Sequence, residues 1–388
     1  MESSKGTPDR PRVRTGSSCL ADPEAAVCEL AAALDQPDIG LVIVFFSSSF
    51  DLVRLGAALD GHFGTATVIG CSTAGEIGPA GYFEGSLSGA SFHRDDLVFE
   101  VALLEHLSSF DLRSGQRFSH RLKETLRRRI PELTPQNAFA FMLIDGLCMR
   151  EEVVTRAFYD GLGGISLIGG SAGDDLAFKQ TKVLYDGRFV DDAALLLLAS
   201  TPFPFMVFKT QHFVSSEERL VVTGAIPEKR IVTEINGCPA ADEYAHAVGI
   251  NIDRLDPMIF AAYPVVVRIG NADFVRSIQK MNPDGSLTFY CAIDEGIVFK
   301  VAKGEDMIDN LVGALETVTQ NIGPPAFILG CDCILRHIEA RQRGIREQIG
   351  GLLADCRVVG FSTYGEQYCG MHINQTFTGV AIGSGRRA

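Results

Sequence analysis

Gly70-Cys71-Ser72-Thr73-Ala74-Gly75-Glu76 closes an apolar run, and Gly360-Phe361-Ser362-Thr363-Tyr364-Gly365-Glu366 repeats it nearly residue for residue far along the chain. A looser copy, Gly169-Gly170-Ser171-Ala172-Gly173-Asp174, stands between them. Outward from each turn the order of patterns is the same. The first turn follows an apolar run from Leu41 to Phe46, a helical pattern from Leu52 to Leu59, and Thr67 to Ile69. The second follows Ala138 to Ile144, Glu151 to Tyr159, and Ile165 to Ile168; the third follows Ala326 to Leu329, Ile334 to Ile349, and Arg357 to Val359. Three copies of one order of periodicities imply duplication of a β-α-β unit. The fold class is therefore α/β.

Between the second and third copies the character changes. From Phe205 to Met307 short alternating runs are separated by turn signals, such as Asn282-Pro283-Asp284-Gly285-Ser286, which predicts an antiparallel β-meander. Within it, Pro239 to Val248 reads as a helix with proline and acids in its first turn and His246 near its end. Two domains are expected: 24–204 with the first two repeats, and 205–388 with the meander and the third. Residues 1–20, rich in Ser, Pro, Arg and Lys without an apolar segment, read as a disordered tail and not as a secretory signal.

The chain has 388 residues, 35 basic against 48 acidic, for a net charge of −13, and is 46% hydrophobic. The acidic balance argues against nucleic acid, which requires clustered cations, and Arg127-Arg128-Arg129 reads as a solvated helix end. No apolar run approaches the roughly 18 residues that span a bilayer. Ten scattered cysteines without framework spacing read as reduced thiols, and the expected compartment is cytoplasmic.

Few motifs carry chemistry. The small-residue turns could present backbone N–H groups to an anion, or could simply allow tight strand connections. Ser72 and Ser362 are weak nucleophile candidates, since neither lies in a Gly-x-Ser-x-Gly elbow. Cys331-Asp332-Cys333 is too closely spaced for one side of a zinc site. Cys71 and Cys369 lie in or beside the turns, with nothing in the sequence to activate them. His62, His93, His106 and His120 read as surface residues, whereas His246 and His372 lie in more apolar settings. No enzyme is expected.

Several separated motifs resemble those of a known family. Gly70-Cys71-Ser72-Thr73-Ala74-Gly75-Glu76-Ile77 resembles the FIST N-terminal domain. Glu234-Ile235-Asn236-Gly237-x-Pro239-Ala240, Phe274-Val275-Arg276-Ser277-Ile278 and Thr363-Tyr364-Gly365-Glu366-Gln367 resemble the FIST C-terminal domain. The resemblance implies an intracellular sensory module. The segment from Tyr364 to Gly379, with Cys331 to Arg336, is most similar to the NosP nitric-oxide-sensing haemoproteins. That similarity implies haem b held non-covalently by a histidine, nitric oxide bound at ferrous iron, and regulation of a partner histidine kinase in two-component and cyclic-di-GMP signalling that bears on biofilm formation. His246 ranks first as the iron ligand and His372 second. The alternative is a FIST module that binds a small metabolite such as an amino acid in an interdomain cleft. Its pocket candidates are Ser72, Gly75, Arg276, Ser362, Gly365 and Glu366. A homodimer stays open.

Overall fold

A computed structural model describes residues 10–270 and 272–385. Each repeat builds one six-stranded sheet. In the first, Ile39–Ser47 pairs in parallel with Thr67–Thr73 across the helix Leu52–Phe63. In the second, Ala138–Ile144 pairs with Ser166–Ser171 across Glu151–Leu162. In the third, Pro325–Cys333 pairs with Val358–Thr363. These are the expected β-α-β units. Each sheet is extended by antiparallel strands, among them Leu87–His93, Ala193–Ser200 and Phe377–Gly383.

The central strands are apolar at nearly every position because both faces are covered. Leu41, Ile43 and Phe45 join Phe139, Phe141, Leu143, Phe327, Leu329 and Phe361 in one shared core. The alternate residues Val42, Val44 and Phe46 meet the first unit's helices through Leu30, Leu55 and Leu59. Met142 and Ile144 do the same against Val154 and Phe158. The first glycine of each repeated turn sits where the parallel partner strand comes closest. A Cβ on Gly70 would stand 1.9 Å from the Val44 carbonyl oxygen, and one on Gly360 1.8 Å from that of Gly330. Only glycine allows that approach.

After each turn the chain leaves its own sheet. The hairpin Glu76–Gly78 and Gly81–Phe83 of the first unit adds to Val358–Thr363 of the third. The third unit's hairpin, Glu366–Tyr368 and Met371–Ile373, adds to Ser166–Ser171 of the second. The second unit's, Val183–Tyr185 and Arg188–Val190, adds to Thr67–Thr73 of the first. The exchange is cyclic, so a cut at 204 severs strands from both halves.

The antiparallel sheet expected in the C-terminal half runs from Phe213–Ile226 to Val298–Gly304 and has its own core around Tyr244, Phe260, Phe289 and Phe299. Phe205–Thr210, expected to open it, instead pairs with Phe377–Gly383 in the third unit.

Three further expectations change. Val13–Ser18, assigned to a disordered tail, is a strand paired with Leu87–His93, anchored by Arg12, whose guanidinium binds the buried Asp96 at 2.8 Å; residues 1–9 lie outside the described residues. His93, expected at the surface, is buried with its Nε2 2.9 Å from Arg12. The helix expected from Ile334 to Ile349 is two, Ile334–Gln342 and Arg346–Asp355. The break falls at Gly344, where φ is +70° and the Ile345 N–H returns to the Ala340 carbonyl as in a Schellman cap.

Candidate functional site

The three repeated serines hold one register position: Ser72 faces Phe46, Ser171 faces Ile144 and Ser362 faces Asp332. Their turns lock onto one another. Ala74 N–H donates to the Ser362 carbonyl, Ser362 N–H to Gly75, Gly173 N–H to Ser72, Ser171 N–H to Gly365 and Tyr364 N–H to Ser171. Gly75 and Gly365 N–H donate to the Thr73 and Thr363 hydroxyls. These N–H groups are spent on the protein itself, which corrects the anion-cradle reading of Ser72, Gly75, Ser362 and Gly365. Glu366 is also internal: its carboxyl accepts from Thr363 and Thr376, and burial raises its pKa to about 8.

One unforeseen pairing is Ser362 with His337, whose Nδ1 lies 3.1 Å from the Ser362 Oγ. Arg346 donates to Nε2 at 3.0 Å, so the ring proton sits on Nδ1 and points at the serine. That tautomer cannot take the serine's proton. Cys71 is fully buried, and burial raises its thiol pKa well above the usual value, as it does more modestly for Cys369. Nothing here activates a nucleophile.

His246 and His372 part company. On the helix Ala240–Val248 the residues Ala240, Ala241, Tyr244 and Ala245 face the core, so Asp242 and His246, four residues apart, share the exposed outer face. His372 is buried where three parts of the fold meet: the exchanged hairpin, the antiparallel sheet and the start of the helix Glu151–Leu162. Arg276 donates to its carbonyl oxygen at 3.1 Å. Its Nδ1 lies 3.2 Å from the Gln367 Nε2. Burial lowers its pKa to about 4, with Arg230 and Arg276 pushing the same way, and outweighs the opposing Glu152 carboxylate and a weaker hydrogen bond to the Tyr290 backbone. The imidazole is neutral.

This junction holds a concentration of unmet hydrogen-bonding capacity. His372 Nε2, both ends of the Asn374 amide, Gln367 Oε1, Gln375 Oε1 and Ser277 Oγ are buried without a partner. Each such group costs about 1–3 kcal/mol if nothing meets it, and native proteins carry few. Beside it Arg230 binds Glu151 at 2.5 Å and Glu152 at 3.0 Å and donates to the Tyr290 carbonyl. A cleft of about 240 Å³ opens there, lined in part by Leu147, Glu151, Arg230, Gln279, Tyr290 and Tyr364.

Of the expected site residues, the fold brings together Arg276, Gly365 and His372. Ser362 meets Gly75 elsewhere, and His246 stands apart. Glu151, Arg230, Asn374 and Tyr290 gave no sequence signal, because their roles depend on contacts between distant segments.

Haem fits this arrangement poorly. The His372 ring packs so closely on Gly365 that a Cβ there would lie 2.2 Å from Cε1, and the adjoining cleft is smaller than the roughly 300 Å³ at which cofactor pockets begin. Among the described residues no three His, Cys, Asp or Glu side chains group as metal ligands.

Family profiles for the FIST N domain and the FIST C domain match residues 40–238 and 240–369. The chain belongs to the FIST family. FIST domains are sensory domains of signalling proteins. The chain is similar to an uncharacterised protein of Methanocaldococcus jannaschii, at 22% identity over 389 residues, 87% of this chain and 73% of that one. Among solved structures, cyanuric acid hydrolase aligns over 96% of this FIST chain and 100% of its own at 10% identity, with a TM-score of 0.36. No helix among the described residues is long and apolar enough to cross a membrane.

Proposed function

We propose that this FIST protein senses a small polar metabolite, such as an amino acid, bound where the hairpin Glu366–Ile373 meets the antiparallel sheet and the start of the helix Glu151–Leu162. The observation that carries this reading is the set of buried, unpartnered side chains around His372. A ligand that met them would also bridge the units, because Arg276 and Arg230 come from the antiparallel sheet while His372 and Glu151 come from the repeats. Binding would stabilise their contact. Thermal denaturation of the full chain against a panel of amino acids, amines and carboxylates tests it. A saturable rise in Tm with at least one class is expected, and a flat response to all of them defeats the proposal.

The resemblance to NosP proteins supports a second reading, in which His372 holds haem b, nitric oxide is the signal and the partner is a histidine kinase. The unpartnered Nε2 of a neutral buried imidazole favours it. It requires Gly365 and the hairpin to give way. Haem titration followed at the Soret band separates the readings: saturation lost in His372→Ala but kept in His246→Ala would favour haem, and no saturable band would remove it. Partner signalling is tested by kinase autophosphorylation with and without ligand.

A further inference from the structure

The helix Leu112–Arg129 carries Arg113, Arg117, Arg121, Lys123, Arg127, Arg128 and Arg129 against a single acid, Glu124, in a chain whose net charge is −13. Its inner face is Gly115, Ser119, Leu122 and Leu126. Glycines let it press against the helix Glu151–Leu162: a Cβ on Gly115 would stand 2.8 Å from the Ala157 Cβ, and one on Gly161 2.1 Å from the Ser119 Oγ. Arg113, Arg117, His120 and Arg121 are left exposed along a surface groove of about 690 Å³, which Lys123 also lines and to which the other helix supplies Asp160 and Gly161. The cleft beside Arg230, at about 240 Å³, is far smaller.

The carboxylates nearby do not neutralise this row. Asp160 is held by Arg156 at 3.0 Å and accepts from Gln116, and Glu124 is held by Arg127 at 2.8 Å. Asp111 caps the helix; hydrogen bonds from Ser114, and more weakly the charge of Arg117, lower its pKa. Arg113, Arg117 and Arg121 form no ion pair among the described residues. With every flanking group counted, the six cations Arg113, Arg117, Arg121, Lys123, Arg127 and Arg156 meet the three carboxylates Asp111, Glu124 and Asp160. The surplus is positive. Lys123 is fixed in place, its Nζ donating to the Leu162 carbonyl at 3.1 Å. The three arginines stand four residues apart, where like charges destabilise a helix, so the row has a cost within the protein itself.

We propose that this groove docks an acidic segment of a partner protein. Arg113, Arg117 and Arg121 stand about 6 Å apart along the helix axis, which matches carboxylates at every fourth residue of a facing helix over about two turns. Guanidinium forks bind such carboxylates in pairs of hydrogen bonds. Nucleic acid fits less well. None of the groove's lining residues is an aromatic on which a base could stack, and a net charge of −13 repels a phosphate backbone that runs beyond the groove. The docking surface is independent of whichever ligand the junction around His372 takes.

Fluorescence anisotropy on the full chain tests this with a labelled helical peptide bearing glutamate at every fourth position and with its glutamine counterpart. At low salt the glutamate peptide should bind about tenfold or more tightly than the glutamine one, and the difference should shrink as salt is added. Arg113→Gln, Arg117→Gln and Arg121→Gln, made together, should weaken the glutamate peptide about tenfold or more. The Tm of that variant should stay level or rise, because the three side chains are exposed and repel one another. Arg14→Gln, Arg219→Gln and Lys303→Gln, which remove the same charge from exposed positions elsewhere, should leave the affinity unchanged. Equal binding of the two peptides, no binding of either at low salt, or equal losses in the groove and control variants overturns the proposal. Tighter binding of oligothymidylate, or of phosphatidylcholine vesicles containing phosphatidylglycerol, through the same arginines would give the groove to that class instead. Self-association abolished by the groove variant would give it to a second copy of the chain.

Discussion

Glu76 and Glu366 occupy equivalent places on two exchanged hairpins, Glu76 opposite Phe361 of the third unit and Glu366 opposite Gly170 of the second. Each carboxyl accepts from the threonine three residues before it, Thr73 or Thr363, and from the N–H and hydroxyl of Ser86 or Thr376 ten residues after it. Burial raises the two pKa values to about 7 and about 8. In the second unit the place is filled by Val183, opposite Cys71, so that unit's hairpin docks without a carboxyl.

A pH dependence follows. Both folded pKa values lie above the unfolded value of about 4.3, so the folded state holds protons that the unfolded state has released. Their contribution is fully present below about pH 4 and is lost as pH rises through 7 and 8, by up to about 1.4 kcal/mol per pH unit for each group. Urea denaturation at pH 5, 6.5 and 8 should show the decline, and Glu366→Gln should flatten it. A variant as steep as the parent would assign the effect elsewhere.

The first unit's hairpin is tied to the third by a buried polar chain. Arg336 binds Asp332 at 2.8 Å, and Asp332 accepts from the Tyr82 hydroxyl. Both charges are almost wholly buried. Arg336→Met should cost about 3–5 kcal/mol, because Asp332 would be left buried without its countercharge. Removing both in Asp332→Asn with Arg336→Met should recover part of that loss. Equal instability of the single and double variants would argue against the ion pair as the cause.

Gly365→Ala should destabilise the fold by about 1–3 kcal/mol through overpacking, since the new methyl would overlap the His372 ring. Gly313→Ala, in the helix Met307–Ile322 with open space around the new methyl and no left-handed backbone, serves as the control and should be neutral or stabilising. Chemical denaturation of the two variants measures the difference. A neutral Gly365→Ala would show that the ring moves freely.

Residues 10–204 expressed alone should not give a cooperatively unfolding monomer. Such a fragment leaves Ser166–Ser171 without its hairpin and the apolar hairpin Glu76–Phe83 without the sheet it joins. Co-expression with 205–388 should restore a soluble complex. A fragment with a sharp, reversible transition by calorimetry would refute the dependence.

Much of the secondary structure could be read directly. The parallel strands around Phe45, Phe141 and Leu329 are apolar on both faces, and that continuity marks them without any knowledge of their neighbours. The turn motifs are legible as motifs, and of the two readings open for them, an anion cradle and a tight strand connection, the structure agrees with the second. Gly70 and Gly360 are there for strand approach, and Ser72 and Ser362 hold hydrogen bonds between units. His246 looked enclosed because Ala245 and Ala247 flank it in sequence, whereas helical spacing places it with Asp242 on the outer face. Val13–Ser18 was missed because an edge strand with one polar face carries little signal beside Pro11 and Arg14.

By itself the sequence determined the three β-α-β units and the antiparallel sheet between them, because period and apolar continuity are local properties of the chain. Only the tertiary structure decided where the hairpins go and what His372 faces. Strand exchange and the juxtaposition of His372 with Asn374, Arg276 and Gly365 depend on which sheet edge each hairpin finds. That choice is made by packing and backbone pairing between segments hundreds of residues apart, and no local pattern encodes it.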